Sequence, residues 1–207
     1  MFALRGAKAW RDKAWCDWLV LTLLLLGCQQ LGAAGVIKAK ALLAPVLVER
    51  AWESSLGAGG SPIKPWPWAD TWPVARLEAP DVGVNLLVLA GDSGNALAFG
   101  PGHSNASAQL GSAGLAVIGG HRDTHFAFLQ KLQRGSLLKL QLTSGFWREY
   151  RVESIEVVDS RVQSLPRASP QERLLLVTCY PFDALLFNGP LRYVVAAVPV
   201  ASAVIEL

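Results

Sequence analysis

The sequence predicts a mostly β domain preceded by an N-terminal transmembrane helix. Three observations carry this: a charge-free stretch from Trp18 to Ile37, a Pro- and Trp-rich break between Gly57 and Pro73, and short apolar runs separated by turns from Arg76 onward.

The chain of 207 residues opens with a basic flank, residues 1–17, in which Arg5, Lys8, Arg11 and Lys13 outnumber Asp12 and Asp17. Trp10, Trp15 and Trp18 stand where an interfacial aromatic belt sits. As a helix rising about 1.5 Å per residue, residues 18–37 cover roughly 30 Å, the thickness of a bilayer core. The cations before this anchor leave the flank in the cytoplasm and export everything after Ile37, although Lys38 and Lys40 reduce the asymmetry. Two other readings of the same residues stay open. The strongly apolar part, Leu19 to Leu26, has the length of a cleaved signal peptide, and Leu25-Leu26-Gly27-Cys28 resembles the box before a lipid-modified cysteine.

Residues 38–75 form a connecting segment. Leu42, Leu43, Val46, Leu47 and Trp52 recur at helix-like intervals among Glu49, Arg50 and Glu53, which predicts an amphipathic helix with a kink at Pro45. Lys64-Pro65-Trp66-Pro67-Trp68 suits neither a helix nor a central strand and reads as a linker. Its Trp66, Trp68 and Trp72 are expected to seal the base of the core.

Residues 76–207 form the exported domain. Val84–Leu89, Leu115–Gly119, Leu137–Leu142, Arg148–Val158, Leu174–Cys179 and Leu191–Val200 are of strand length, several of them alternate apolar with polar residues, and the spacing suits a barrel or a sandwich. Only Phe126–Leu132 reads as a short helix. The formal net charge of +3 comes mainly from the N-terminal flank, so the domain offers nothing that would attract nucleic acid.

Function is sought at the strand ends. Cys16 and Cys28 lie in or beside the membrane segment, which leaves Cys179 as the single thiol of the exported domain, unable to form an internal disulfide there. Cys179 closes one strand, His121 follows another after Gly119-Gly120, and Arg192 opens the last. A thiol attacks a carbonyl only as the thiolate, so it needs a neighbouring cation or base, and the departing amine needs a proton; one histidine can do both. An arginine, always charged and rich in N–H donors, can steady the anionic tetrahedral intermediate. Cysteine, histidine and arginine are therefore sufficient for acyl transfer, although each alone is a weak signal.

Around these residues the wording resembles the sortase family. Gly120-His121-Arg122-Asp123-Thr124-His125-Phe126 is similar to its histidine motif, Leu176-Val177-Thr178-Cys179 to the end of its TLxTC motif, and Leu191-Arg192-Tyr193-Val194-Val195 to its arginine motif, in the family's order. Phe99-Gly100-Pro101-Gly102-His103 and Cys179-Tyr180-Pro181-Phe182 resemble the sortases of Gram-negative, often marine, proteobacteria. One position departs: Leu175 stands where the family usually has the first threonine of TLxTC. The resemblance implies a closed β-barrel of about eight strands with short helices, a catalytic set of Cys179, His121 and Arg192, and no metal or organic cofactor. It further implies a partner protein, exported and ending in an LPxTG-like sorting signal. The Thr–Gly bond of that signal would be cleaved through a thioester, which an amine of unknown identity, or water, resolves. With the anchor, this implies a single-pass protein of the cell inner membrane, its catalytic domain outside the cytoplasm.

Rival readings are a metal site of His121, His125 and Cys179, a peptidoglycan L,D-transpeptidase, and an inactive membrane-tethered binding module. The first lacks the glutamate of H-E-x-x-H and an evident fourth ligand. The second does not suit the Tyr180-Pro181-Phe182 that follows Cys179. His125 is read as packing locally, His103 as a loop residue in a Gly-Pro-Gly turn, and Asp123 as the cap of the short helix. Thr178 and Tyr193 alternate with Cys179 and Arg192 and are expected on the opposite face.

Overall fold

The computed structural model describes residues 3–162, 169–184 and 189–200. The chain divides into two compact units, Met1–Ala44 and Pro45–Leu207. Helix α1 (Ala3–Gly57) accounts for the first unit, and Trp18–Gly35 within it is long and apolar enough to cross a membrane, with a mean hydropathy of 1.5 and no buried residue. The Thr22 hydroxyl donates to the Trp18 carbonyl at 2.7 Å, which satisfies this polar group inside the helix itself.

In the second unit the last turns of α1 bury Val48, Ala51, Trp52 and Ser55, at i, i+3, i+4 and i+7. Leu42, Leu43 and Val46, expected on the apolar face, are exposed. The buried stripe includes Ala and Ser, which the hydrophobic pattern does not count. Glu49 pairs with Arg76 at the first strand of the sheet.

Eight strands follow: β1 (Pro73–Ala79), β2 (Val84–Ala90), β3 (Gly102–His103), β4 (Leu115–Gly119), β5 (Leu137–Leu142), β6 (Trp147–Asp159), β7 (Arg173–Cys179) and β8 (Leu191–Pro199), with a four-residue helix α2 (Gly94–Leu97) between β2 and β3. They close into a barrel in the order β1-β2-β3-β4-β7-β8-β6-β5, sealed by antiparallel pairing of β1 with β5. Among the described residues only β2 with β3 and β4 with β7 run parallel. The expected eight-stranded closed barrel is thus present.

Two of its strands go beyond the sequence prediction. In β1 strict alternation turns Pro73, Ala75, Leu77 and Ala79 inward; three of these four are Ala or Pro, so the apolar signal is faint, and the strand begins inside the segment read as linker. In β3 only two residues pair, and His103, read as a loop residue, bonds across to β4 opposite Ile118. The expected helix at Phe126–Leu132 is a short 3-10 helix, Ala127–Lys131.

Side chains of one parity fill the barrel: Leu77, Val88, Ile118, Leu138, Leu140, Leu174, Leu176 and Val195 are fully or almost fully buried in one cluster. The other parity of β4, β7 and β8 builds a smaller cluster on the outer face, Leu115, Leu175 and Val194 with Val158 of β6, flanked by Val117, Val177 and Ala196. Leu175, the departure from the TLxTC wording, is 5 % exposed within this outer cluster. Trp68 does not seal the core: it is 79 % exposed, whereas Trp66 meets Phe99 edge-on at 5.2 Å.

The β2–β3 pairing depends on an absent side chain. A methyl group on Gly102 would lie 2.1 Å from the Gly91 carbonyl oxygen, a backbone atom that cannot rotate away. Gly102→Ala is therefore expected to cost about 1–3 kcal/mol, as overpacking does, and to lower the denaturation midpoint; an unchanged midpoint would show that this approach is not a constraint.

Candidate active site

Two ladders set the site. In the parallel ladder β4 runs beside β7 with Gly119 opposite Val177, and it continues past the end of β4: the Gly120 amide donates to the Val177 carbonyl at 3.2 Å, and the Thr178 hydroxyl donates to the Gly120 carbonyl at 2.7 Å. His121 therefore leaves the ladder beside the end of β7, where Cys179 stands. In the antiparallel ladder Cys179 is paired directly with Arg192. Backbone pairing alone thus brings His121, Cys179 and Arg192 to one end of three adjacent strands.

Parity then assigns faces. Cys179 shares its face with Leu175 and Val177, and Arg192 with Val194 and Ala196, so both side chains belong to the outer face of the barrel. Thr178 and Tyr193 belong to the other face; Thr178 is 3 % exposed, and Tyr193 packs against the interior cluster. Tyr193 stacks on Tyr180 at 6.0 Å, and Phe182 meets both rings edge-on at 6.2 and 5.1 Å. Since Tyr180 and Tyr193 directly follow Cys179 and Arg192, this ring cluster packs beside the two residues. Burial, with the neighbouring Tyr180, pushes the Tyr193 phenol above its usual pKa.

Cys179 is a free, half-buried thiol; Cys28, also free, is exposed. Nη1 of Arg192 donates to the carbonyls of Gly189 at 2.6 Å and Leu191 at 2.9 Å, so one arm of the guanidinium is anchored on backbone and the rest of the fork remains for other acceptors. His121 is exposed, at the start of a turn closed by the Phe126 amide on the His121 carbonyl at 2.9 Å. The glycine before it has a defined purpose: a methyl group on Gly120 would come within 2.7 Å of the Phe126 ring, which is fully buried and packs edge-on against Phe128.

Arg122 had no role in the sequence reading beyond its place in the motif. It is 7 % exposed, and its Nη2 donates to the Ala184 carbonyl at 2.7 Å. A charged residue between a glycine pair and an acidic turn carries no mark of burial in the sequence. Asp123 is exposed and does not cap the short helix: Phe126 holds that position, and no side chain supplies a cap bond. His103 is occupied, its Nε2 meeting the Ala108 carbonyl at 2.9 Å and the Ser107 hydroxyl at 3.2 Å. It also lines a cavity of about 390 Å³ with Trp72, Gln109 and Thr143, which none of Cys179, His121 and Arg192 borders.

His125 is half-buried, and its Nδ1 is enclosed without a hydrogen-bond partner. Desolvation, followed by the neighbouring His121, lowers its pKa from 6.5, while Asp123 acts in the opposite sense. Among the described residues no three His, Cys, Asp or Glu side chains are gathered in a group suited to a metal ion.

Known proteins resemble this chain in sequence and in fold. The family model described as the sortase domain matches residues 77–200. Sortase D of Bacillus subtilis (strain 168) is 33 % identical over 120 residues, which span 58 % of this chain and 60 % of that protein. The structure of a Clostridium perfringens sortase D5 transpeptidase superposes with a TM-score of 0.61 at 19 % identity, over 78 % of this chain and 99 % of that one. The catalytic domain of B. anthracis SrtD gives a TM-score of 0.52 at 27 % identity, over 62 % and 87 %.

The environment of His125 has a consequence for stability. Because its folded-state pKa is lowered, the unfolded chain binds more protons just below pH 6.5, so stability is lost as pH falls through that range and regained as it rises. His125→Gln is expected to flatten this part of a melting-temperature profile; an unchanged slope would assign it to another group.

Proposed function

The chain belongs to the sortase family, and from that premise we propose that it is a membrane-anchored cysteine transpeptidase acting on an LPxTG-like sorting signal of another exported protein. The observation that carries the reading is the pairing of Cys179 with Arg192 across β7 and β8, with His121 leaving the adjacent parallel ladder beside them.

The Cys179 thiolate attacks the carbonyl carbon of the Thr–Gly bond. A tetrahedral oxyanion forms, and Arg192 donates to it from the part of its guanidinium not held by Gly189 and Leu191. As the C–N bond breaks, His121 gives its proton to the departing amine, leaving the acyl group on sulfur as a thioester. An amine acceptor then attacks the thioester and loses its proton to His121, the C–S bond breaks, and the thiolate is regenerated. With water as the acceptor the same sequence is hydrolysis. No step calls for a metal or an organic cofactor.

Trp18–Gly35 supports the anchor, with the basic flank in the cytoplasm and the barrel on the extracytoplasmic side of the inner membrane. The position of Cys179, half-buried at a strand end on the outer face, suits a thiol that must meet another protein's chain. Leu175 packs in the outer cluster, so the missing threonine hydroxyl alters the packing of that face and not the nucleophile.

The experiment is a turnover assay with a sorting-signal peptide and an amine acceptor. His121→Ala is expected to cost about two to four powers of ten, His125→Ala much less, and Arg192→Lys about two to three powers of ten, because a point charge does not replace a planar fork. Chelators should have no effect. Equal losses from the two histidine variants, with inactivation by chelator and recovery in Zn²⁺, would overturn the reading in favour of a metal site.

A further inference from the structure

Arg122 is the one charged side chain buried among the described residues. A guanidinium tolerates such burial only when its donors find acceptors, and one of these is the Ala184 carbonyl, 2.7 Å from Nη2 and 62 residues further along the chain. The two ends of this bond lie at significant places. Arg122 immediately follows His121 in the turn closed by the Phe126 amide, and Ala184 ends the turn that leaves Cys179, its amide reaching back to the Pro181 carbonyl at 3.4 Å. The bond therefore ties the turn that carries the histidine to the turn that follows the cysteine.

On its N-terminal side His121 is held to β7 by the bonds of Gly120 with Val177 and Thr178, and on its C-terminal side its own turn is closed by the amide of the fully buried Phe126. These bonds fix the turn to the barrel but do not join it to the turn that follows Cys179; the Arg122 bond does.

We infer that Arg122 is a positioning residue for proton transfer: by bracing the His121 turn against the turn after Cys179, it fixes the imidazole relative to the thiol. The inference rests on the role proposed above for His121. It does not give Arg122 any contact with substrate.

The test is a double-mutant cycle on the full-length protein, with kcat, KM and the melting temperature measured for Arg122→Gln and Arg122→Lys, each alone and combined with His121→Ala. Misplacing a reacting group by about 1 Å can cost up to a hundredfold, so Arg122→Gln is expected to lower kcat between about ten- and a hundredfold with little change in KM. In the His121→Ala background the same substitution should change kcat by less than about twofold, because the group it positions is gone. Lysine, which keeps one charged donor, should recover part of the loss. Equal-factor losses in both backgrounds, or a fall in kcat that merely follows the melting temperature for both variants, would overturn the inference. If His121→Ala alone costs nothing, the proposed mechanism itself fails; that outcome is distinct, and it removes the inference too.

Discussion

Parallel pairing of β4 with β7, from Leu115 opposite Arg173 to Gly119 opposite Val177, is the constraint from which the site follows. Side chains on a strand alternate between faces, so a slip of one residue would send every side chain of β7 to the other side. Cys179 would then point into the barrel and Thr178 would face outward. The slip would exchange Leu174 and Leu176, 1 % and 0 % exposed in the barrel, with Leu175 and Val177 of the outer cluster, and it would take the Thr178 hydroxyl away from the Gly120 carbonyl. Such a hydrogen bond is worth about 0.5–1.5 kcal/mol, so Thr178 and the leucine packing on both faces, which take no part in chemistry, decide where the thiol points.

The same ladder bears on both partners of the cysteine. Antiparallel β8 takes its register from β7, which puts Arg192 opposite Cys179 and Tyr193 opposite Thr178. Beyond the end of β4 the ladder is prolonged by a side chain, the Thr178 hydroxyl on the Gly120 carbonyl. Below this row the rings of Tyr180, Phe182 and Tyr193 on one side and Phe126 on the other fill the mouth of the barrel. Packed rings of this kind hold the neighbouring backbone in place. Such support is what a reacting constellation needs, since small displacements of the groups are costly.

Much of this was readable from the sequence, for physical reasons that also explain the gaps. Strands β2, β4, β5, β6, β7 and β8 carry long Leu- and Val-rich runs, and their bounds agree with the pattern within a residue or so. Strand β1 hides because alanines, Ala75 and Ala79, occupy inward positions and carry little apolar signal, and β3 because two residues have no period. Hydrophobicity also misled: Trp68 is apolar yet exposed, while Arg122 is charged yet buried, since a carbonyl far along the chain meets it. The candidates His121, Cys179 and Arg192 could be named from the sequence because strand ends and motif wording are local. What binds Arg122, caps the short helix or engages His103 depends on contacts between distant segments, which no local pattern records.

The central claim is that Cys179 forms a covalent bond to a cleaved sorting signal, and intact-mass spectrometry tests it most directly. The full-length protein would be incubated with peptides of LPxTG type without an amine acceptor, quenched in acid and mapped by proteolysis. The account predicts an acyl adduct on the peptide containing Cys179, released by hydroxylamine as a thioester is, and absent from Cys179→Ala. An adduct confined to the exposed Cys28, or cleavage that persists undiminished in Cys179→Ala, would contradict it.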